Sequence, residues 1–252
     1  MEMRVSRFAL AVLLLGLCGV AALAIAGPGS QWGLWSFRTG FAIMRWAAWA
    51  GLGVAALSLI ACFVVTSGPP QRGLALAGIA VLCGVLTFAV PASMREMARS
   101  VPRIHDITTD MQNPPRFVRI IKLREETQAR NTIIYGGEKI AAEQRKAYPD
   151  IAPLLVSVPP RAAFDAALAV AVDFGWDIVS SAPGHGRIEA TATTRWFGFK
   201  DDVVIRVSTA GKITRVDIRS VSRIGRNDAG ANAARIRLFL ERLNKNLVKG
   251  QT

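Results

Sequence analysis

Hydrophobic positions follow two regimes along the chain. From Phe8 to about Val90 they run in long, nearly unbroken stretches; beyond Met94 they recur every second or every third to fourth position among charged residues. The stretch Phe8–Ala26 (FALAVLLLGLCGVAALAIA) is long enough, at 1.5 Å per helical residue, to cross ~30 Å of hydrocarbon. A second stretch runs from about Phe41 to Thr66 and a third from about Leu74 to Val90. Gly27-Pro28-Gly29, the turn Ser67–Gly73 and Pro91 punctuate them. The pattern predicts a membrane domain over residues 1–95, with transmembrane helices at about 8–26, 41–66 and 74–90.

Two readings compete for the first stretch. Arg4 and Arg7 before an apolar core, with Ala24-Ile25-Ala26 behind it, also describe a cleavable signal. The core is long for a signal and two more apolar stretches follow, which favours an uncleaved anchor. Arg45 falls near the start of the second span, where a long side chain snorkels to the headgroups. Trp32, Trp35, Trp46 and Trp49 surround that boundary as an interfacial aromatic belt does. Small residues (Gly16, Ala21, Gly51, Gly53, Gly78, Gly84) predict close helix packing. No span carries an acidic residue, which argues against ion or proton transport. Arg4, Arg7 and Arg72 favour a cytoplasmic N-terminus, and three crossings then place the C-terminal part in the periplasm; Arg95, Arg99 and Arg103 pull the other way.

The remaining chain predicts an extended linker over 96–150 that wraps an α+β domain over 151–252. Pro102, Pro114 and Pro115 keep Val101–Phe117 extended. A short helix is expected over Lys139–Tyr148 and a strand over Leu154–Val158. Pro159-Pro160 opens a helix with Phe164, Leu168, Ala171 and Val172 on its apolar face, ending at Gly175. Strands follow over Trp176–Ser180, Arg187–Thr194, Val203–Ser208 and Ile213–Val221, with turns at Ala182–Gly186 and Ala210-Gly211. A final helix is capped by Asn227 or Asp228 and buries Ile236, Phe239, Leu240, Leu243 and Leu247. The expected fold is therefore three transmembrane helices plus a soluble domain. In that domain an antiparallel sheet of four to five strands carries two helices on one face, in a helix-grip-like arrangement. Val203, Ile205, Val207, Val216 and Ile218 would face the helices, and Glu189, Thr191, Arg206, Arg215, Asp217 and Arg219 the other side.

The composition sharpens this picture. The chain is 51% hydrophobic yet carries a net charge of +13. An excess of Lys and Arg suits anionic lipid, acidic glycan, the acidic face of a partner protein or nucleic acid, or simply a basic surface. Aromatic residues are not interleaved with the basic ones, which disfavours nucleic acid. Cys18, Cys62 and Cys83 all lie in the apolar stretches, so the soluble part has no disulfide framework and no cysteine zinc site.

Candidate chemistry is sparse. His105, Asp106 and Asp110 form an HDxxxD pattern whose residue types ligate metals, but in a proline-rich loop the two aspartates serve equally as turn caps. Asp201-Asp202 open a strand, as an acid/base or cation-binding pair or as ion-pair partners for Arg195, Arg206 or Arg219. Arg219, Ser220, Ser222, Arg223, Arg226, Asn227 and Asp228 form the densest polar cluster, leading into a helix N-terminus that favours anions. A capped turn with Arg–Asp pairs is the alternative. No phosphate loop, nucleophile elbow, dinucleotide fingerprint or paired-cysteine motif is present, so no cofactor and no metal is implied.

Four stretches carry a resemblance: IEATATTRWFGFKDDVVIRV (Ile188–Val207), VDIRSVSRIGRNDAGANAARIRLFL (Val216–Leu240), PRIHDITTDMQNPPRF (Pro102–Phe117) and AYPDIAPL (Ala147–Leu154). They resemble the bacterial and plastid family known as domain of unknown function 1499. Relatives with three N-terminal spans, or with secreted or lumenal single domains, imply an extracytoplasmic position; the resemblance implies no activity. The leading expectation is an inner-membrane envelope protein whose C-terminal domain is a binding or scaffold module for an anionic ligand or partner protein. Its anion-binding candidates are Arg219, Ser222, Arg223, Arg226, Asp228, Asp201 and Asp202. The alternatives are an enzyme acting on a phosphorylated or carboxylated substrate, using Asp201, Asp202 and the Arg219–Asp228 turn, and a cytoplasm-facing nucleic-acid binder.

Overall fold

The computed structural model describes residues 5–67, 73–127 and 129–249. Arg4, Arg72 and most of the Ser67–Gly73 turn, on which the orientation reading leans, lie outside the described residues. The chain divides into two compact units, Met1–Met97 with Arg195–Gly198, and Ala98–Thr194 with Phe199–Thr252.

Helices α1 (Arg7–Ala26), α3 (Phe37–Ser67) and α4 (Leu74–Ser100) dominate the first unit, with a single short turn of helix, α2 (Pro28–Gln31), after the first. All three long helices are long and apolar enough to cross a membrane. Ser6 caps α1 by accepting the Ala9 N–H, and Ser36 does the same for Thr39 at the head of α3. The inward positions of α3 are Gly40, Met44, Ala47, Gly51, Val54, Ser58, Ala61 and Val65, a strict alternation of four and three. That spacing keeps one narrow seam facing its neighbours. Outward positions such as Leu14, Leu15, Leu59, Phe63 and Leu82 are more than half exposed, the pattern of a bundle solvated by hydrocarbon. Trp32, Trp46 and Trp49 are exposed as well, and the Arg45 guanidinium lies 5.9 Å from the Trp46 ring.

The small residues divide. A Cβ on Gly51 would come within 2.7 Å of the Gly84 carbonyl oxygen, and one on Gly84 within 2.7 Å of the Gly51 carbonyl oxygen and the Ala55 nitrogen. Gly16 is similarly hemmed in by Cys83 at 3.0 Å, whereas Gly53 and Gly78 have open space around them and Ala21 is exposed. The sequence pattern stops the third span at Pro91, yet α4 runs through it to Ser100. Proline removes one helical N–H donor, but Ala92, Met94, Arg95, Glu96, Met97 and Ala98 are strong helix formers that continue the helix past it.

The second unit is built on a six-stranded, open antiparallel sheet in the order β1-β6-β5-β4-β3, with β2 also pairing β6. The strands are β1 (Asp106–Thr108), β2 (Leu154–Val156), β3 (Asp177–Ala182), β4 (Arg187–Thr193), β5 (Lys200–Ala210) and β6 (Ile213–Ser222). The additional strand, β1, comes from the stretch expected to be merely extended. Helices α7 (Pro160–Asp173) and α8 (Ala231–Lys249) cover one face. Their side of the core takes Ile188, Ala190, Val203, Ile205, Val216 and Ile218 from the sheet and Phe164, Ile236, Phe239 and Leu243 from the helices. Trp176 stacks on Phe239 at 5.5 Å. The α7 face is rotated slightly from the expected one: Ala163, Ala167 and Val170 are buried, while Val172 is exposed. Gly175 takes φ +70 to end that helix, as its position after the last apolar residue suggests.

The opposite face of the sheet is covered too. The segment from Asp110 to Ile134, with helix α5 (Ile120–Glu126) inside it, lies across it, and Phe117 and Ile120 pack on Val204 and Val221. The sequence pattern predicts no helix here, because α5 has seven residues and buries only Ile120 and Arg124. Helix α6 (Gly137–Ala147) places Gln144, fully buried, beside β1. Its amide accepts the Thr108 N–H (3.1 Å) and donates to the Thr108 carbonyl (2.7 Å), closing the sheet edge as a further strand would.

Candidate functional site

Polar side chains of β4, β5 and β6 project beneath the covering segment, where each buried carboxylate meets its own set of donors. Glu189 is fully buried; its Oε2 accepts the backbone N–H groups of Val118, Arg119 and Ile120 at 3.0, 2.9 and 3.0 Å, and its Oε1 accepts from Arg187 Nε at 2.9 Å. Free N–H groups at the head of a helix seek an anion, and here the protein supplies one from its own sheet.

Asp202, also fully buried, accepts from Arg124 at 2.5 Å, from the Nε and Nη2 of Arg223, and from the Thr191 hydroxyl at 2.9 Å. Arg124 additionally donates to the Asn131 carbonyl, and burial holds its pKa below the usual arginine value despite the facing carboxylate. Arg219 forms a two-bond fork with Asp106 (2.9 and 2.7 Å) and donates to the carbonyls of Ile133 and Pro115. Its guanidinium lies between the rings of Phe117 and Tyr135, at 5.3 and 5.6 Å from their centroids. Burial, reinforced by the Asp106 charge, pushes the Tyr135 phenol up to about 12. Further along the face, Arg206 and Arg215 both donate to Asp110 and Asp217.

Asp201 points the other way. It accepts from Arg235 at 2.6 Å, in a network on the α8 side where Arg235 and Asn232 tie Ser220 and Ser222 to the helix. Asp228 accepts the N–H groups of Gly230 and Asn232 ahead of α8, and burial raises its pKa. The expected cluster is thus split between two faces. Arg219, Arg223, Asp202, Asp201 and Ser222 are all at least nine-tenths buried, and of the seven candidate residues Arg226 alone is exposed. The partners of the two aspartates are Arg124, Arg223 and Arg235 rather than Arg195, Arg206 or Arg219. Asp106 is held by Arg219, and Asp110 accepts the N–H groups of Gln112 and Asn113 as a turn cap. Among the described residues no group of three or more His, Cys, Asp or Glu is arranged to hold a metal.

An open cavity of about 400 Å³ sits on the same face, lined by Asn113, Pro115, Arg116, His185, Arg187, Val204 and Arg206. Its lining contains no carboxylate. Arg187 and Arg206 are direct partners in the β4–β5 register, so two like charges stand side by side, which costs stability unless something compensates. Glu189 takes only the Nε of Arg187, and both amino groups of that guanidinium remain without an acceptor among the described residues. Arg116 and His185 are exposed. Sequence reasoning misses this site because Arg116, His185 and Arg187 come from a proline-rich loop, a turn and a strand start that only strand pairing brings together. The β4–β5 register, placing Arg187 opposite Arg206, is the signal that could have revealed it.

These features define an α+β domain, an antiparallel sheet with two helices on one face and a covering segment across the polar face, which follows an N-terminal unit of apolar helices in sequence. The profile of a family described as "Protein of unknown function (DUF1499)" matches residues 106–243, more than half of the chain, and the chain belongs to that family. No curated protein matches it.

Proposed function

We propose that this protein is a membrane-anchored binding module: the α1, α3 and α4 unit inserts in the inner (cell) membrane, and the C-terminal domain takes an anionic ligand or the acidic face of an envelope partner protein in the periplasm. One observation carries the reading. The polar face keeps its carboxylates inside saturated ion pairs while turning an arginine-rich, carboxylate-free cavity outward. Guanidinium forks in such a position recruit oxyanions. The binding residues are then Arg116, Arg187, Arg206 and His185. Arg219, Arg223, Asp201 and Asp202 act as the framework that shapes the face, because their donors and acceptors are already engaged.

The test has two parts. The full chain, in nanodiscs of zwitterionic lipid, is titrated calorimetrically with acetate, succinate, citrate and inorganic phosphate. Saturable binding of at least one, weakened by Arg116→Ala, is expected; no binding to any of them overturns the reading. Reporters fused after Thr252, one active only outside the cytoplasm and one fluorescent only inside, decide the side. An active outer reporter is expected, and an inner signal would direct the search to nucleic acid and the inner leaflet.

A further inference from the structure

We infer that the ligand of this cavity presents a phosphoryl group, the terminal phosphate of a monoester, in preference to a carboxylate; the inference rests on the anion-binding reading above. The argument is one of donor number and direction. A carboxylate has two oxygens in one plane and is satisfied by one guanidinium fork, as Asp106 is by Arg219. A phosphoryl group presents three terminal oxygens pointing in three directions.

The cavity offers donors from three separate segments: Arg116 from the covering loop, Arg187 from the start of β4 and Arg206 from the middle of β5, with His185 from the turn ahead of β4. Arg187 brings both amino groups, because Glu189 engages only its Nε. Arg206 spends its Nη2 donors on Asp110 and Asp217 at 2.8 Å each and one Nη1 donor on the Asn113 carbonyl at 2.9 Å; this fixes the guanidinium in place before any ligand arrives and leaves only its Nε–H and second Nη1 N–H without an acceptor among the described residues. A preorganised donor loses little freedom on binding.

Charge points the same way. Arg187 is balanced by Glu189, and Arg206 and Arg215 by Asp110 and Asp217, which leaves Arg116 as the cation of the cavity lining with no counter-ion among the described residues. That uncompensated guanidinium suits an anion, and a phosphate monoester carries one to two negative charges near neutral pH. The cavity is larger than a bare phosphate and open to solvent, so the esterified group has room to extend outward.

The experiment compares anions of similar charge and different shape. The full chain in zwitterionic nanodiscs is titrated with inorganic phosphate, glycerol phosphate and succinate, and separately reconstituted with phosphatidic acid in the nanodisc. Phosphate and glycerol phosphate are expected to bind on the order of tenfold more tightly than succinate. Arg116→Ala should remove about that factor, and His185→Ala a smaller part of it. Both side chains are exposed, so neither change threatens folding. Succinate binding as tightly as phosphate overturns this inference and leaves the anion-binding reading standing; binding of none of these anions overturns both. If the phosphatidic acid nanodiscs abolish binding of glycerol phosphate by the wild type, the phosphoryl group comes from a lipid headgroup. Unchanged binding assigns it to a soluble ester.

Discussion

Asp201 and Asp202 are neighbours along β5 and serve opposite faces of the sheet: Asp201 accepts from Arg235 at 2.6 Å beside α8, and Asp202 from Arg124 at 2.5 Å beneath α5. Strand alternation forces this. The two carboxylates therefore never converge on one ligand, and each holds a different layer to the sheet.

Their removal should differ in cost. Asp202→Asn leaves Arg124 and Arg223 buried without the carboxylate they share, and loss of one partner from a buried pair costs about 3–5 kcal/mol. Asp201→Asn should cost about 1–3 kcal/mol, because Arg235 keeps its bonds to Ser220 and Asn232. Pulse proteolysis across a urea series measures both; equal losses would show that the Arg124–Asp202–Arg223 group is not the tighter clamp.

Glu189 predicts a graded series. Glu189→Gln keeps an oxygen for the N–H groups of residues 118–120 but loses the charge, and should cost about 1–2 kcal/mol. Glu189→Ala leaves those N–H groups and Arg187 without their acceptor and should cost about 3 kcal/mol or more. Hydrogen exchange at Val118–Ile120 should accelerate in the same order. Unchanged exchange in the alanine variant would mean that the covering segment is held elsewhere.

The membrane unit separates glycines that must stay small from those that need not. Gly51→Leu and Gly84→Leu drive a side chain into backbone across the helix crossing, whereas Gly53→Leu and Gly78→Leu enter open space. Thermal unfolding in detergent should fall by several degrees for the first two and remain near the wild-type value for the second two. A drop for all four alike would relocate the helix contact.

Asp110 sets an acid limit. Burial pushes its pKa up, but the Asn113 N–H, the Arg206 hydrogen bond and the charges of Arg215 and Arg206 outweigh it and hold it below the ordinary carboxylate range. The unfolded chain therefore takes up this proton first as pH falls. The stabilisation is complete above the unfolded value of about 3.9 and is lost as pH drops through the lower folded value. Asp110→Asn should be less stable than wild type at pH 7, and the gap should close under strong acid. A gap independent of pH would assign the loss to turn geometry instead of charge.

Much of the fold was legible because its signals are local. Runs such as Phe8–Ala26 report burial in lipid directly, and the alternation of Val203, Ile205 and Val207 reports a half-buried strand. Gly175 and Asp228 mark helix ends through their own backbone chemistry. Helix α5 escaped because its order comes from Glu189, about 70 residues away, and not from its own periodicity. The site escaped for a related reason. Arg219 and Arg223 look like a ligand cluster in sequence because the carboxylates and carbonyls that consume their donors, Asp106, Pro115 and Ile133 among them, lie far along the chain. A basic cluster can be read from sequence, but whether its charges are spent can be read only from their partners.

The covering segment also dictates an order of assembly. It precedes the central strands it lies on, and its anchors are remote: Glu189 is 69–71 residues downstream of the N–H groups it receives, Asp202 is 78 residues beyond Arg124, and Arg219 is 104 beyond Pro115. During synthesis this stretch leaves the ribosome with its helix N–H groups and arginine unmatched until Glu189 of β4 and Asp202 of β5 emerge, and the carbonyls of Pro115 and Ile133 wait longer still, for Arg219 of β6. Closure of the polar face is then a late, non-local event whose loop-closure entropy slows folding. A nascent chain stalled before Ser222 exposes the covering segment to proteases, and the same chain released past the last helix does not.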